Sequence, residues 1–551
     1  MKKLFLIISF LIFAPLLYAK GFDFETISKI AIQHGGRYKP LDTYARDIIK
    51  YITGSEHKEP LSNLLMLVCN KSTDDKLINV QSRELKEFLG LEVGETHFSL
   101  SDMQGVWQKL DEITKKASQK RNNTRLEKTA LELYNKMALL NSLYDGSGLK
   151  VIPAPIGEGK YWPNMRDLES YLGNNLPSAP YFEAVKSALD KLPKEKLTEI
   201  LTAYVSLKKS FTENNVSGFS QSSQYLYKLL AELNTSEYPK ESELVRELGY
   251  NKLDPIGKAW KIYLIAFVFF ILSVIIRKKV FYISSILITS VGLALHIYGM
   301  VLRWQVAGRQ PWSNMYESML LLCLGIVVLS LIFELIYRNK IFGIVSTLMS
   351  VVGLIFANNF TPFSQSINPL MPALKSNWMT IHTPCIMQGY VAGTIFMAIG
   401  HVFLFTYLIY PYKRDSLLIL DDMMYRVLQV AVIFTLSGTC LGAVWGGEAW
   451  GRYWGWDMKE NWALITLIGF LATLHCRIAG IIDELGTAIA SILCFVLVIL
   501  TYYGVNLVFG QGLHSYGFGA AEYTPIAVFF VFELILTAIT IATYMARRKL
   551  A

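Results

Sequence analysis

Two rhythms of apolar and polar positions divide this chain. Up to about residue 258, apolar residues recur at helical spacing among charged ones, as in Glu84–Leu89, Leu126–Leu143 and Tyr181–Leu207, and Pro/Gly stretches such as Ile152-Pro153-Ala154-Pro155 separate them. From Trp260 onward the pattern changes to long apolar runs at roughly 260–276, 281–302, 315–336, 342–358, 384–410, 424–444, 463–482, 485–508 and 523–546. Each is close to the ~20 residues that a bilayer-spanning helix needs. The pattern predicts a membrane all-α protein: a mainly helical domain over 20–258, then a polytopic domain of about nine transmembrane helices over 259–551. No internal repeat is visible. The Gly35-Gly36-Arg37-Tyr38-Lys39-Pro40-Leu41-Asp42-Thr43 patch reads as a turn followed by a helix start.

Charge sharpens the division. Residues 1–259 carry 35 Lys+Arg and 32 Asp+Glu, whereas residues 260–551 carry 18 and 12. The first part is composed like a soluble domain and the second like a membrane bundle. A single soluble enzyme is excluded, and so is a nucleic-acid binder, since the first part is nearly balanced and the basic excess of the second follows membrane topology. The six cysteines form no C-x-x-C pair, so nothing in the chain supports a zinc site, a redox dithiol or covalently attached haem.

At the N-terminus Lys2 and Lys3 precede an apolar run that ends at Leu17-Tyr18-Ala19, which reads as a signal peptide over 1–19, or a retained anchor. Residues 20–258 are then expected outside the cytoplasm. With that start, Arg277-Lys278-Lys279, Arg338 with Lys340, Lys413-Arg414, Arg477 and Arg547-Arg548-Lys549 all fall on the cytoplasmic side, as the positive-inside rule requires. Segments 303–314, 359–383, 445–462 and 509–522 fall on the outer face of what is read as a bacterial inner (cytoplasmic) membrane.

The 445–462 segment holds five of the eleven tryptophans, Trp445, Trp450, Trp454, Trp456 and Trp462, interleaved with Gly446, Gly447, Gly451 and Gly455. An interfacial aromatic belt needs only one or two such rings per helix end. Broad indole faces with glycines between them suit a large planar macrocycle. Arg452 and Lys459 are placed to meet its carboxylates, and Asp457 and Glu460 to hold the loop by pairing with them. His382, just before the fifth helix, and His514, between the eighth and ninth, lie in outer loops on either side. Two neutral imidazoles suit the two free axial positions of a porphyrin iron. His475, about twelve residues into the seventh run, reads as ~18 Å deep at 1.5 Å per residue. His296 and His401 read as hydrogen-bonded to neighbouring helices. Trp304 is assigned to the membrane interface.

The run Trp445 to Glu460 resembles the tryptophan-rich "WWD" signature of haem-handling membrane proteins. With Leu374-Lys375-Ser376 before His382, with His475, and with His514-Ser515-Tyr516-Gly517, it resembles the CcsA (ResC) family of System II cytochrome c synthases. Arg303-Trp304, Gly308, Pro311 and Ser313-Asn314-Met315-Tyr316-Glu317-Ser318 are similar to that family's early outer loop and following helix. The resemblance implies a cytochrome c synthase (haem lyase) that moves haem b, its substrate, to the outer face and joins it to the C-x-x-C-H cysteines of an exported apocytochrome c. It implies His382 and His514 as axial ligands of the outer haem, the tryptophan segment (Trp445, Trp450, Trp454, Trp456 with Asp457) as its platform, and His475 as one ligand of an inner haem. The second inner ligand would come from a CcsB (ResB)-like partner chain, and a thiol reductant system would keep the cysteines reduced. Met458 stands where the family commonly has proline. A haem exporter or chaperone without ligase activity, and a bis-histidine membrane electron carrier, are the competing readings.

Overall fold

The computed structural model describes residues 21–55, 59–69, 75–120, 123–156, 161–234, 236–359, 365–370, 374–509 and 524–550. The chain forms two compact units, Met1–Asn251 and Lys252–Ala551.

The first unit is mainly helical with two small antiparallel hairpins. In one of them, Ala31–His34 pairs with Arg37–Pro40 across Gly35 and Gly36, whose φ values of 62° and 78° suit glycine at a tight hairpin turn. Helix Leu41–Thr53 follows directly, so the Gly/Pro patch is a turn and a helix start. Lys39, 1 % exposed, donates to Asp47 at 2.7 Å and lies 3.4 Å from His34 Nδ1. Burial, and then the Lys39 ammonium, lower the His34 pKa to about 4, which leaves this imidazole neutral near pH 7. Arg37 closes the hairpin onto helix Glu241–Leu253 with two bonds to Glu247, at 2.7 and 2.6 Å. The stretch 181–207, read as one amphipathic segment, is two helices, Pro180–Leu189 and Lys194–Thr212, because Pro193 cannot continue the first and instead precedes the second.

Among the described residues the second unit has nine helices long and apolar enough to cross a membrane. We label their α-helical parts α1 (Pro255–Ile275), α2 (Lys279–Ala307), α3 (Met315–Tyr337), α4 (Ile341–Asn359), α5 (Asn377–Ile409), α6 (Arg414–Trp450), α7 (Met458–Ile478), α8 (Glu484–Ile499) and α9 (Thr524–Leu550). A π-helical stretch, Leu500–Phe509, continues α8. The expected class, membrane all-α with a helical N-terminal domain, is what the chain adopts. Helices are the natural outcome in lipid, where each backbone group must be satisfied within its own segment.

Small residues set the close approaches. A Cβ on Gly292 would press on Tyr263, one on Gly325 on Val391, and one on Gly438 would meet the Ile386 backbone at 2.6 Å. One end of the bundle is basic. There Arg477 pairs with Asp421, Arg414 with Glu484 at 2.6 Å, and Arg547 donates to the Tyr407 and Leu408 carbonyls that close α5. Buried Glu334 accepts from Tyr282 and from the Lys340 and Gly343 amides, so it seals the α3–α4 turn. The tryptophan-rich segment lies at the other end of the antiparallel helices.

Candidate functional site

His382 lies inside α5 rather than before it. The helix starts at Asn377, where Ser376 Oγ accepts the Trp378 N–H, and His382 is in its second turn. Hydropathy places the start too late because the first turns are polar and contain Pro384. The imidazole Nδ1 is 2.8 Å from the Gly438 carbonyl of α6. A carbonyl only accepts, so Nδ1 carries the proton and the lone pair resides on Nε2, the tautomer expected of a metal-binding imidazole held by an outer hydrogen bond. The ring lies nearly parallel to Trp445, with centroids 5.9 Å apart and planes 11° apart. It also covers Gly442, where a Cβ would come within 2.7 Å of ring Cε1. Residues 438, 442 and 445 share one face of α6, so a carbonyl, a bare backbone and an indole together form a seat for this side chain.

The tryptophan segment is not one loop over 445–462. Helix α6 runs through Trp450 and stops where Gly451, φ +70°, closes it by donating to the Gly447 carbonyl. Only residues 451–457 connect it to α7, and Trp456 takes a left-handed φ of 58° there. The five tryptophans therefore occupy different settings. Trp445 is 2 % exposed and meets Trp450 edge-on at 4.8 Å, which makes a wall beside His382. Trp454 and Trp456 pack edge-on at 5.9 Å, and Trp456 is 70 % exposed. Trp462 lies within α7, its carbonyl accepting from Thr501 at 2.9 Å. The glycines between them serve the chain itself more than an approaching ligand. A Cβ on Gly446 would crowd the Arg452 carbonyl at 3.2 Å, one on Gly447 the Tyr453 ring at 2.9 Å, and one on Gly455 the Arg452 guanidinium.

The charged residues bond first to the local backbone. Asp457 caps α7 by accepting the Lys459 and Glu460 amides at 2.9 and 3.0 Å, and Glu460 reaches back to the Asp457 and Gly455 amides at 3.2 and 2.7 Å. They hold the loop through backbone N–H groups, as a capping box does. Lys459 turns into the bundle and donates to the Thr501 carbonyl at 2.9 Å in the π-helical stretch, where widened winding makes such carbonyls accessible. Arg452 is the basic side chain that stays exposed on this connection.

His475 is the eighteenth residue of α7, since that helix begins at Met458 and ends at Ile478. It therefore stands ~26 Å from the tryptophan end, within one turn of the basic end, and deeper than hydropathy suggested. Its Nδ1 is 2.7 Å from the Leu471 carbonyl, and the ring faces the outside of the bundle. His514 falls in 510–523, outside the described residues. His401 bonds Glu533 of α9 through Nε2 at 3.0 and 3.1 Å, and His296 lies 3.4 Å from the Tyr263 hydroxyl of α1, so both face neighbouring helices as expected. Trp304 is 47 % exposed at the tryptophan end of α2, a setting compatible with an interface.

One buried cluster was not assigned from sequence. Arg303 and Arg309 both pair with Glu317, at 2.9 and 2.7 Å, and Glu317 also accepts the Ser313 amide. Arg303 is 2 % exposed and Glu317 fully buried. The available signal was three ionisable residues beside apolar runs.

These features define a polytopic helical membrane protein in which an imidazole is seated against an indole wall near one membrane surface. Residues 312–514 match the family described as Cytochrome C assembly protein. The chain is 35 % identical to the cytochrome c biogenesis protein CcsA of Mesostigma viride over 245 residues, 39 % of this chain and 80 % of that protein. It is 34 % identical to CcsA of Chlamydomonas reinhardtii over 255 residues, 45 % of this chain and 71 % of that protein. It is 25 % identical to the protein NrfI of Wolinella succinogenes over 505 residues, 88 % of this chain and 53 % of that protein. The chain belongs to the CcsA family of cytochrome c biogenesis proteins. The match to NrfI is long enough to extend well into the first unit, and the chain spans about half of NrfI's length.

Proposed function

We propose that this protein carries haem b to the outer membrane face and joins it to the C-x-x-C-H cysteines of an exported apocytochrome c, working with a CcsB-like chain. The observation that carries this reading is His382: a carbonyl fixes its tautomer, an indole backs its ring, and it lies in the family-matched segment. His382 and His514 take the two axial positions of the outer haem, and Trp445, Trp450, Trp454 and Trp456 enclose the macrocycle and keep water from it. Arg452 serves a propionate; Lys459 and Asp457 act indirectly by fixing the start of α7. Each thioether forms when a cysteine S–H adds across a haem vinyl group. Sulfur bonds to the α-carbon, the proton ends on the β-carbon, and no net oxidation occurs, so the residues need only hold a reduced iron and expose the vinyl edge. The incoming C-x-x-C-H histidine replaces one resident imidazole, which releases the product.

In this proposal the basic end is cytoplasmic, in the bacterial inner membrane, and the first unit and tryptophan segment are exported. A single cysteine placed at Glu448, which is exposed, should react with a membrane-impermeant maleimide in intact cells, and one at Arg414 should not. The opposite pattern would invert the topology.

The test of function is co-expression with a CcsB-like partner and a C-x-x-C-H reporter in a host that lacks its own maturation system. Covalent holocytochrome, read by haem stain, supports ligation. Bound haem without product would leave only transport. In the same assay His475→Gln is expected to lower haem per protein at least several-fold while the spectrum of the remaining haem is unchanged. Glutamine keeps a hydrogen bond but is a poor iron ligand. Wild-type occupancy would remove His475 from the inner site.

A further inference from the structure

A second recess lies at the tryptophan end, on the face of α5 away from His382. Gln310 bonds Thr380, two residues before His382 and so about 200° around the helix from it. Trp304, Gly308, Arg309, Lys375, Ser376 and Asn377 line a cleft of ≈ 430 Å³, within the range of small-ligand sites.

The cleft is short of negative charge. Glu317 is shared by Arg303 and Arg309, so two cations meet one carboxylate beside the cleft. Lys375 adds another at the surface, with no ion pair among the described residues. Segments 303–314 and 359–383 contain Arg303, Arg309 and Lys375 but no Asp or Glu. Leading up to the cleft, α2 presents an exposed apolar stripe, Ile283, Leu287, Val291, Tyr298 and Val301, ending at half-exposed Trp304. Such a stripe faces acyl chains, and a tryptophan at its end marks headgroup depth.

We infer that this cleft binds the phosphate of an anionic phospholipid, with Lys375 as its main charged contact and an acyl chain lying along α2. Arg309 lends mainly charge, since most of its guanidinium N–H groups are held by Glu317 and by the Gln310 and Asn368 carbonyls. The inference needs only the membrane fold and stands apart from the haem reading.

The full chain would be purified after equilibration with mixed phosphatidylglycerol and phosphatidylcholine vesicles, and its retained phospholipid quantified by mass spectrometry. Wild type should retain phosphatidylglycerol selectively. Lys375→Glu should lower that retention about tenfold, the scale set by losing one charge-assisted contact, and Lys375→Arg should preserve it. Lys375 is exposed, so folding should survive, and helical circular dichroism checks this. Equal retention by wild type and Lys375→Glu would overturn the inference, as would retention without lipid selectivity. Haem and its dimethyl ester form the last arm. If Lys375→Glu abolishes a preference for haem over the ester while lipid retention is unchanged, the cleft serves a haem carboxylate and the lipid assignment is wrong.

Discussion

His382→Ala is expected to abolish cytochrome c maturation and to lower haem per purified protein at least tenfold, because it removes one axial bond to iron and empties the seat on α6. Added imidazole should partly restore both by occupying that seat. The geometry supplies a companion variant that leaves the ligand in place. In Gly442→Ala the new Cβ would lie 2.7 Å from His382 Cε1, closer than real contacts allow, so the ring must move or lose its bond to Gly438. Maturation should fall well below wild type, with an altered Soret maximum in the haem that remains. Normal activity and spectrum in His382→Ala would remove His382 from the site; a normal Gly442→Ala alone would show that the seat tolerates displacement.

The second large effect concerns stability. Glu317→Ala leaves Arg303 and Arg309 with no carboxylate between them in a place where Arg303 is almost fully enclosed. Removing one partner of a buried ion pair costs roughly 3–5 kcal/mol, a large part of the 5–15 kcal/mol that keeps a typical domain folded. The variant should accumulate poorly and melt many degrees lower in detergent, followed by circular dichroism. Glu317→Gln keeps hydrogen-bond acceptance without charge and should fall between the two. A Glu317→Ala protein that melts with wild type would mean that this cluster does not hold the α2–α3 corner together.

Sequence by itself determined the helical class, the candidate histidines and the tryptophan-rich segment. Lipid leaves a chain few ways to satisfy its backbone groups, so apolar runs alone announce the helices, and basic residues mark one set of their ends. Unusual residue types at those ends then stand out locally, as the Trp445–Trp462 segment does. Hydropathy says little about where a helix continues into polar surroundings. For that reason the α5 turn carrying His382, the α6 turns carrying Trp445 and Trp450, and the depth of His475 were legible only in the folded chain. Partnerships across sequence were likewise beyond any local pattern. Gly438 and Gly442 seat an imidazole more than fifty residues away, Lys459 finds a carbonyl on the π-helical continuation of α8, and Glu317 pairs with two arginines from a different helix and its loop. Periodicity reports which face of a helix is apolar, whereas these contacts depend on which helices adjoin and how closely small residues let them approach, and packing alone decides that.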